Sequence, residues 1–159
     1  MDKKKLVETI IAQLNADMAV AKAAALATYE AATHEESKPE NEYDTRGLEA
    51  SYLAGAQAKR IAEIEELLVI CKHLNLKDFG PDDKINVTAV VELELNGKHN
   101  FYFIMPKGGG VSVSFEGKTV QIITANTPVG EALQDLKQGD VAVVENGAQV
   151  REYEIVNVW

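Results

Sequence analysis

The sequence has little cysteine, few aromatic residues and no long apolar run. Its single cysteine, Cys71, excludes an internal disulfide, and we expect a small buried side chain in a reducing compartment. Glu8 and Asp17 interrupt any signal-peptide core near the start, and no stretch approaches the roughly 18 apolar residues of a membrane span. These features predict a cytoplasmic protein with no membrane partner.

Positive charge is also scarce. The 16 Lys and Arg residues face 25 Asp and Glu residues, which leaves a formal charge of -9. Proteins that bind nucleic-acid backbone concentrate Lys and Arg to displace the counterions of phosphate. The composition therefore argues against free-standing nucleic-acid binding and favours a basic partner.

The first half of the chain has helical periodicity. Apolar residues recur at steps of three and four from Lys3 to about Ala32 and from about Thr45 to Asn75. Each segment would form a rod of roughly 45 Å that cannot bury its apolar stripe alone, so an antiparallel helical hairpin is predicted. The predicted stripes are Leu6, Ile10, Leu14, Met18, Ala21, Ala25 and Tyr29, and then Leu48, Tyr52, Gly55, Ile61, Ile64, Leu68 and Cys71.

The second half alternates apolar and polar residues, which predicts a small antiparallel sheet. Asn-Gly and Glu-Gly pairs mark its hairpin turns, and one short helix is predicted, with Thr127 as N-cap and Pro128 as first residue. The fold class is thus α+β, with a helical hairpin at 1–76 and a sheet domain at 77–159. The predicted strands are Ile85 to Leu95, Asn100 to Met105, Val111 to Phe115, Val120 to Thr124, Val141 to Glu145 and Val150 to Val158.

The predicted turn between the two helices, residues 34–44, is unusually acidic. It holds five carboxylates and one lysine, a formal -4 of the chain's -9. The simpler interpretation is a solvated turn that keeps a long helical rod soluble. The alternative is a set of carboxylates carried on a stiff rod into a basic opening, where oxygen ligands could help hold Mg²⁺. We call residues 34–44 the acidic tip.

Other candidate sites have weaker support. His34 begins a zinc-protease pattern, but Lys38 stands where its second histidine is needed, and the remaining histidines, His73 and His99, belong to other elements. The glycine-rich Lys107 to Ser112 precedes a predicted strand, so it is interpreted as a strand connection and not as a phosphate loop. No serine or cysteine lies in a nucleophile motif.

Two segments resemble the GreA/GreB family of bacterial transcript-cleavage factors. The first is "ENEY", Glu40 to Tyr43, which is similar to the family's "ENAEY" tip motif. The second is the segment "ITANTPVGEALQDLKQGDVAVVENGAQVREYEIVNV", which is similar to the family pattern of Ser-Pro-(Leu/Ile)-Gly-x-Ala-Leu, a Gly-Asp turn and a terminal "EYEI" strand. The likeness in residues is strong over about 123–158, and in architecture it spans nearly the whole chain.

The resemblance implies a function. Family members dock an FKBP-like C-terminal domain on the rim of the RNA polymerase secondary channel and insert the helical hairpin. Tip carboxylates, here Glu36 and Glu40, would then help bind a Mg²⁺ shared with the polymerase, which cuts backtracked RNA. The implied partner contacts are Glu42, Tyr43, Asn126, Thr127 and Pro128. The chain would be an accessory factor, not an enzyme, with no intrinsic cofactor, indirect contact with RNA and a monomeric state.

The tip departs from the family pattern. The family's second acidic residue is an aspartate three positions before the tip glutamate, and Ser37 stands there, with Glu36 beside it. A regulator that enters the channel without stimulating cleavage is therefore an alternative. An FKBP-like prolyl isomerase and a coiled-coil scaffold are further alternatives; an isomerase needs an aromatic-lined pocket, and several aromatics of the sheet half are expected to fill its core.

Overall fold

The structure is a computed structural model that describes residues 1–33 and 46–159. Its elements follow the predicted order, two long helices and then six strands with one short helix between the fourth and fifth strands. The bounds are α1 Lys3–Thr33, α2 Arg46–Lys72, β1 Val90–Leu95, β2 Lys98–Ile104, β3 Ser112–Phe115, β4 Lys118–Ile123, α3 Pro128–Leu133, β5 Val141–Asn146 and β6 Gln149–Val158.

The chain forms two compact units. One, the sheet unit, consists of Met1–Ile10 and Ile70–Trp159, and the other, the helical unit, is Ile11–Val69. The sheet unit therefore includes the first turns of α1 and the last residues of α2. The predicted boundary between a helical domain at 1–76 and a sheet domain at 77–159 stays a prediction.

The sheet has the order β3-β4-β2-β1-β6-β5. Its neighbouring strands are antiparallel except β2 and β4, which are parallel because the chain passes from β2 to the edge strand β3 before returning as β4. One face packs with α3 around a buried cluster that includes Leu93, Leu133 and Ile155, each fully buried. The predicted α+β class is confirmed, with one parallel strand pair as a correction.

The strand boundaries show where local turns override alternation. Residues 85–89, predicted to begin the first strand, lie outside it, since Thr88 has a φ of 76° and the Ala89 amide donates to the Asn86 carbonyl. Positive φ also occurs at Asn96, and at Glu116 with Gly117, in the predicted hairpin turns. These are the conformations that two-residue primed turns require.

Burial in the helical unit follows a heptad. In α1 most of the buried or partly buried positions run at alternating steps of four and three, and in α2 most run at steps of three and four, the spacing of two helices that pack along each other. Leu67 is buried outside this spacing. The predicted stripes are wrong where they depart from this spacing: Tyr29, Leu48 and Tyr52 are 65%, 58% and 74% exposed. Gly55 is exposed as well. The heptad positions of the helical unit are Leu14, Met18, Ala21, Ala25 and Thr28, and then Ala54, Gln57, Ile61, Ile64 and Leu68.

Helix α1 is rich in alanine. By length and composition alone, its residues Lys3–Ala31 are apolar enough to cross a membrane. Core helices of water-soluble proteins meet the same criterion. Leu6, Ile10 and Leu14 are almost completely buried within the protein, and 17% of the apolar window of α1 is buried in total.

Candidate functional site

The acidic tip falls between the two long helices. Helix α1 ends at Thr33 and α2 begins at Arg46, so the predicted site residues Glu36, Glu40, Glu42 and Tyr43 all lie outside the described residues. The same holds for Ser37 and His34. Their roles stay predictions.

The other predicted contact segment, Asn126 to Pro128, connects β4 to α3. Thr127 has extended backbone, and its hydroxyl accepts from the Gly130 amide at 3.1 Å while donating to the Thr124 carbonyl at 2.8 Å. Pro128 is the first helical residue, where a missing amide hydrogen costs nothing. The predicted cap is confirmed, and it fixes a turn on which Asn126 and Pro128 are exposed.

Gly130 lets α3 begin directly against this turn. A Cβ atom built there would lie 2.0 Å from the Thr124 carbonyl oxygen and 3.0 Å from the Ala125 Cα. Both are backbone atoms, which cannot rotate away as the end of a flexible side chain could. The glycine is therefore what allows the helix and the end of β4 to approach so closely.

A cavity of about 350 Å³ opens beside the capped turn. Thr127 and Pro128 line one side, and Tyr102, Arg151 and Tyr153 from the sheet line the other. Burial raises the pKa of the Tyr102 phenol, the neighbouring Tyr153 raises that pKa further, and the Arg151 guanidinium opposes both. The cavity can receive an apolar or anionic group from a partner, and its lining includes no carboxylate, cysteine or histidine.

The aromatic residues of the sheet half mainly fill the core. Phe101, Phe103 and Phe115 are at most 9% exposed, and the aromatic residues that line the cavity are Tyr102 and Tyr153. An isomerase pocket walled by several aromatics is not formed there. The alternation of the strands had indicated this division.

The remaining candidates have structural roles. Cys71 is 4% exposed, as predicted, and burial raises the pKa of its thiol. His99 hydrogen-bonds the Glu92 carboxylate at 2.9 Å on the surface. The glycine-rich segment before Ser112 joins β2 to β3, as predicted. Within residues 1–33 and 46–159, no group of three or more His, Cys, Asp or Glu side chains is placed to hold a metal ion.

Sequence reasoning missed Lys3. Its ammonium group lies almost buried in the sheet unit, donates to the carbonyls of Lys77 and Thr88, and sits 4.9 Å from the centre of the Phe79 ring. Burial lowers the pKa of Lys3, and the Asp78 carboxylate partly offsets this. The chain has three successive lysines at the start of a helix, and nothing in the sequence distinguishes Lys3 from the other two.

Comparison with known proteins decides the family. No protein-family model matches the chain. The chain is 30% identical to the transcription elongation factor GreA of Methylococcus capsulatus over 131 residues, 81% of this chain and 77% of that protein. The chain belongs to the GreA/GreB family of transcription elongation factors.

Solved structures of this GreA/GreB group are also similar. The crystal structure of the GreA factor homolog Gfh1 of Thermus thermophilus is 18% identical, with a TM-score of 0.38 over 98% of this chain and 94% of that one. The GreA/GreB elongation factor of Nitrosomonas europaea is 20% identical, with a TM-score of 0.36 over 70% of this chain and 91% of that one.

Proposed function

We propose that this transcription elongation factor binds RNA polymerase and places its acidic tip in the secondary channel of the enzyme. The observation that carries the proposal is its 30% identity to a GreA protein over most of its length. As a family member the chain is an accessory factor and not an enzyme, so any cleavage chemistry belongs to the polymerase. RNA polymerase acts in the cytoplasm, so this chain is expected to act there as well.

The capped turn at Asn126 to Pro128 is the proposed anchor on the channel rim. Its support is a surface that is both exposed and fixed, because the Thr127 hydroxyl bonds the backbone on either side of it. Fixed loops lose little conformational entropy when they bind. The cavity beside the turn, with the Arg151 guanidinium and two phenols, would take a side chain of the rim.

The acidic tip is the proposed effector. Glu36 and Glu40 would supply carboxylate oxygens, the ligands that Mg²⁺ prefers, to an ion that the polymerase also holds. Glu42 and Tyr43 would contact the channel wall, and the extruded RNA would meet the tip indirectly. The ion supplies charge neutralisation for hydrolysis of a phosphodiester, and this chain's contribution is to hold two carboxylates where the ion binds.

Ser37 favours a second candidate function. A hydroxyl at the position of the family's acidic residue removes one negative ligand from the tip. A factor with this tip would enter the channel and compete with other channel proteins without stimulating cleavage. Both functions require the capped turn to bind the channel rim and the acidic tip to enter the channel. They differ only in whether the tip helps to bind the Mg²⁺ ion.

Binding to purified core RNA polymerase tests what the two functions share. We expect wild type to bind at low salt, Pro128→Ala to bind more weakly, and Pro128→Asp to bind more weakly still. Gly55→Ala, an exposed change in α2 with no neighbour within 4 Å of the new atom, is the matched control and should bind as wild type does. Absence of wild-type binding at low salt would remove the proposed function.

Cleavage in stalled, backtracked complexes separates the two candidates. If the tip acts at the metal, wild type releases short RNA faster than the Glu36→Ala/Glu40→Ala variant does, and Ser37→Asp increases the rate. If both variants bind and all rates equal that of polymerase alone, the chain is a channel regulator without cleavage activity.

A further inference from the structure

The edge of the sheet at β5 combines exposed apolar side chains with an open row of backbone groups. Strand β5 is the last in the sheet order and pairs with β6 alone. Its alternate residues Ala142 and Val144 are buried against α3 and the core, whereas Val141 and Val143 are 52% and 46% exposed on the opposite face. Val150 of β6 is 60% exposed.

Each of these valines stands directly opposite a glutamate. The pairs are Val141 with Glu154, Val143 with Glu152, and Val150 with Glu145. Directly paired residues of antiparallel strands point to the same face, so three valines and three carboxylates share one surface. We call these six residues the valine-glutamate face.

Positive charge is absent from the valine-glutamate face and negative charge continues beyond it. Arg151 pairs with Val144, so its side chain is on the other face, where it lines the cavity beside α3. On the next strand Glu94 is directly opposite Glu154, a like-charged pair that costs stability. The surface beside β5 is therefore negative.

The backbone of β5 can accept another strand. Asn146 pairs with Gln149 across a two-residue turn, and the Ile155 amide donates to the Asp140 carbonyl, so the even-numbered residues of β5 bond to β6. Alternation in an antiparallel pair then directs the amide and carbonyl groups of Val141, Val143 and Glu145 away from β6. The strand has no proline or lysine, the residues that commonly protect sheet edges.

We propose that β5 is a docking edge for an extended, basic segment of a partner protein, which adds to the sheet as a further strand. Backbone hydrogen bonds to β5 provide affinity. In an alternating segment the Lys or Arg side chains point to the valine-glutamate face, and the apolar side chains point to the face of Ala142 and Val144. A second copy of this chain is disfavoured, because each copy carries a formal charge of -9 and would repel the other. The proposal does not depend on the proposed function, since the capped turn at Asn126 to Pro128 borders the cavity on the other face.

The test uses the full-length chain, isotope-labelled, and a short peptide of alternating valine and lysine. We expect the peptide to shift the amide resonances of Val141, Val143 and Glu145 and to slow their hydrogen exchange. A valine-glutamate peptide of the same length should not bind. The lysine peptide with N-methyl groups on alternate amides should bind at least about tenfold more weakly, because it cannot complete the ladder.

Substitutions on the two edges of the sheet test where the lysine peptide binds. Glu152→Lys/Glu154→Lys should weaken binding of the lysine peptide about tenfold or more, whereas Ser114→Lys, an exposed change on the opposite edge strand, should not. Shifts confined to other strands, or equal binding of the N-methylated peptide, would refute a strand-accepting edge. Dimers that form through β5 in sedimentation would refute the basic partner in favour of a second copy.

Discussion

At the scale of single residues, Gly130 is where the capped turn tolerates least change. Because the added methyl group of Gly130→Ala would meet the Thr124 carbonyl at 2.0 Å, α3 must move away from the end of β4. We expect the free energy of unfolding to fall by about 1–3 kcal/mol, the usual cost of overpacking. Urea denaturation measures it. The control Gly55→Ala, within α2, should instead gain about 0.5–1 kcal/mol because alanine is the better helix former.

The fold changes the titration of Lys3 through burial of its ammonium group. Its pKa is lowered from 10.5, mainly by burial, so on raising the pH the folded state releases this proton before the unfolded state does. The unfolded state then binds more protons, and stability gained from Lys3 increases with pH in the alkaline range up to about 10.5.

The measurement compares wild type with Lys3→Met in unfolding experiments at several alkaline pH values. We expect the difference in unfolding free energy to shift in favour of wild type as the pH rises. Tyr102, whose pKa is raised, makes both proteins less stable at high pH and cancels in the difference. A difference that is constant with pH would mean that the Lys3 ammonium is as well solvated as in the unfolded chain.

At the scale of elements, Gln57 interrupts the heptad of α2. It is partly buried between Ala54 and Ile61 at a position that heptads reserve for apolar residues, and its side-chain oxygen has no hydrogen-bond partner within the described chain. Gln57→Leu should stabilise the protein by about 1 kcal/mol, since it removes an unsatisfied polar atom from a buried site. Ala58→Leu, on the exposed side, should change the thermal midpoint little.

The elements themselves were largely predictable from local patterns. Hairpin turns were found because Asn-Gly and Glu-Gly pairs adopt positive φ, and the α3 cap because Thr-Pro places a hydroxyl and a missing amide where a helix begins. The buried faces of the helices near Tyr29 and Tyr52 were predicted wrongly, and the reason lies in tertiary packing. Which residues a helix buries there is set by the partner helix, and small alanines at heptad positions carry almost no hydrophobic signal of their own.

At the scale of the whole molecule, the candidate site was predictable where one short segment contains it. The capped turn at Asn126 to Pro128 is local, so its sequence specified its geometry. The cavity beside it joins Tyr102, Thr127 and Arg151 from separate elements, and the valine-glutamate face depends on the register of β5 with β6. Register and strand order are long-range properties that a linear pattern of residues does not reveal.

The distribution of charge over the chain leads to the last prediction. The acidic tip carries -4 of the formal -9, and attraction between it and a basic channel is screened beyond about 8 Å at physiological salt. Polymerase binding by wild type should therefore weaken steeply with added salt. Neutralising the tip should lower the affinity at low salt and flatten the salt dependence. Neutralising the valine-glutamate face should leave the affinity and its salt dependence unchanged. The tip variant replaces Glu35, Glu36, Glu40 and Glu42 with Gln and Asp44 with Asn, and the edge variant replaces Glu145, Glu152 and Glu154 with Gln.

Binding titrations at several salt concentrations measure, for each variant, the slope of polymerase affinity against salt concentration. The two variants serve as controls for each other because each removes only carboxylates. Equal slopes for wild type and the tip variant would show that the tip does not enter a basic environment. A slope that flattens only in the edge variant would instead place the polymerase on the valine-glutamate face. In that outcome the basic segment that adds to β5 would belong to the polymerase itself.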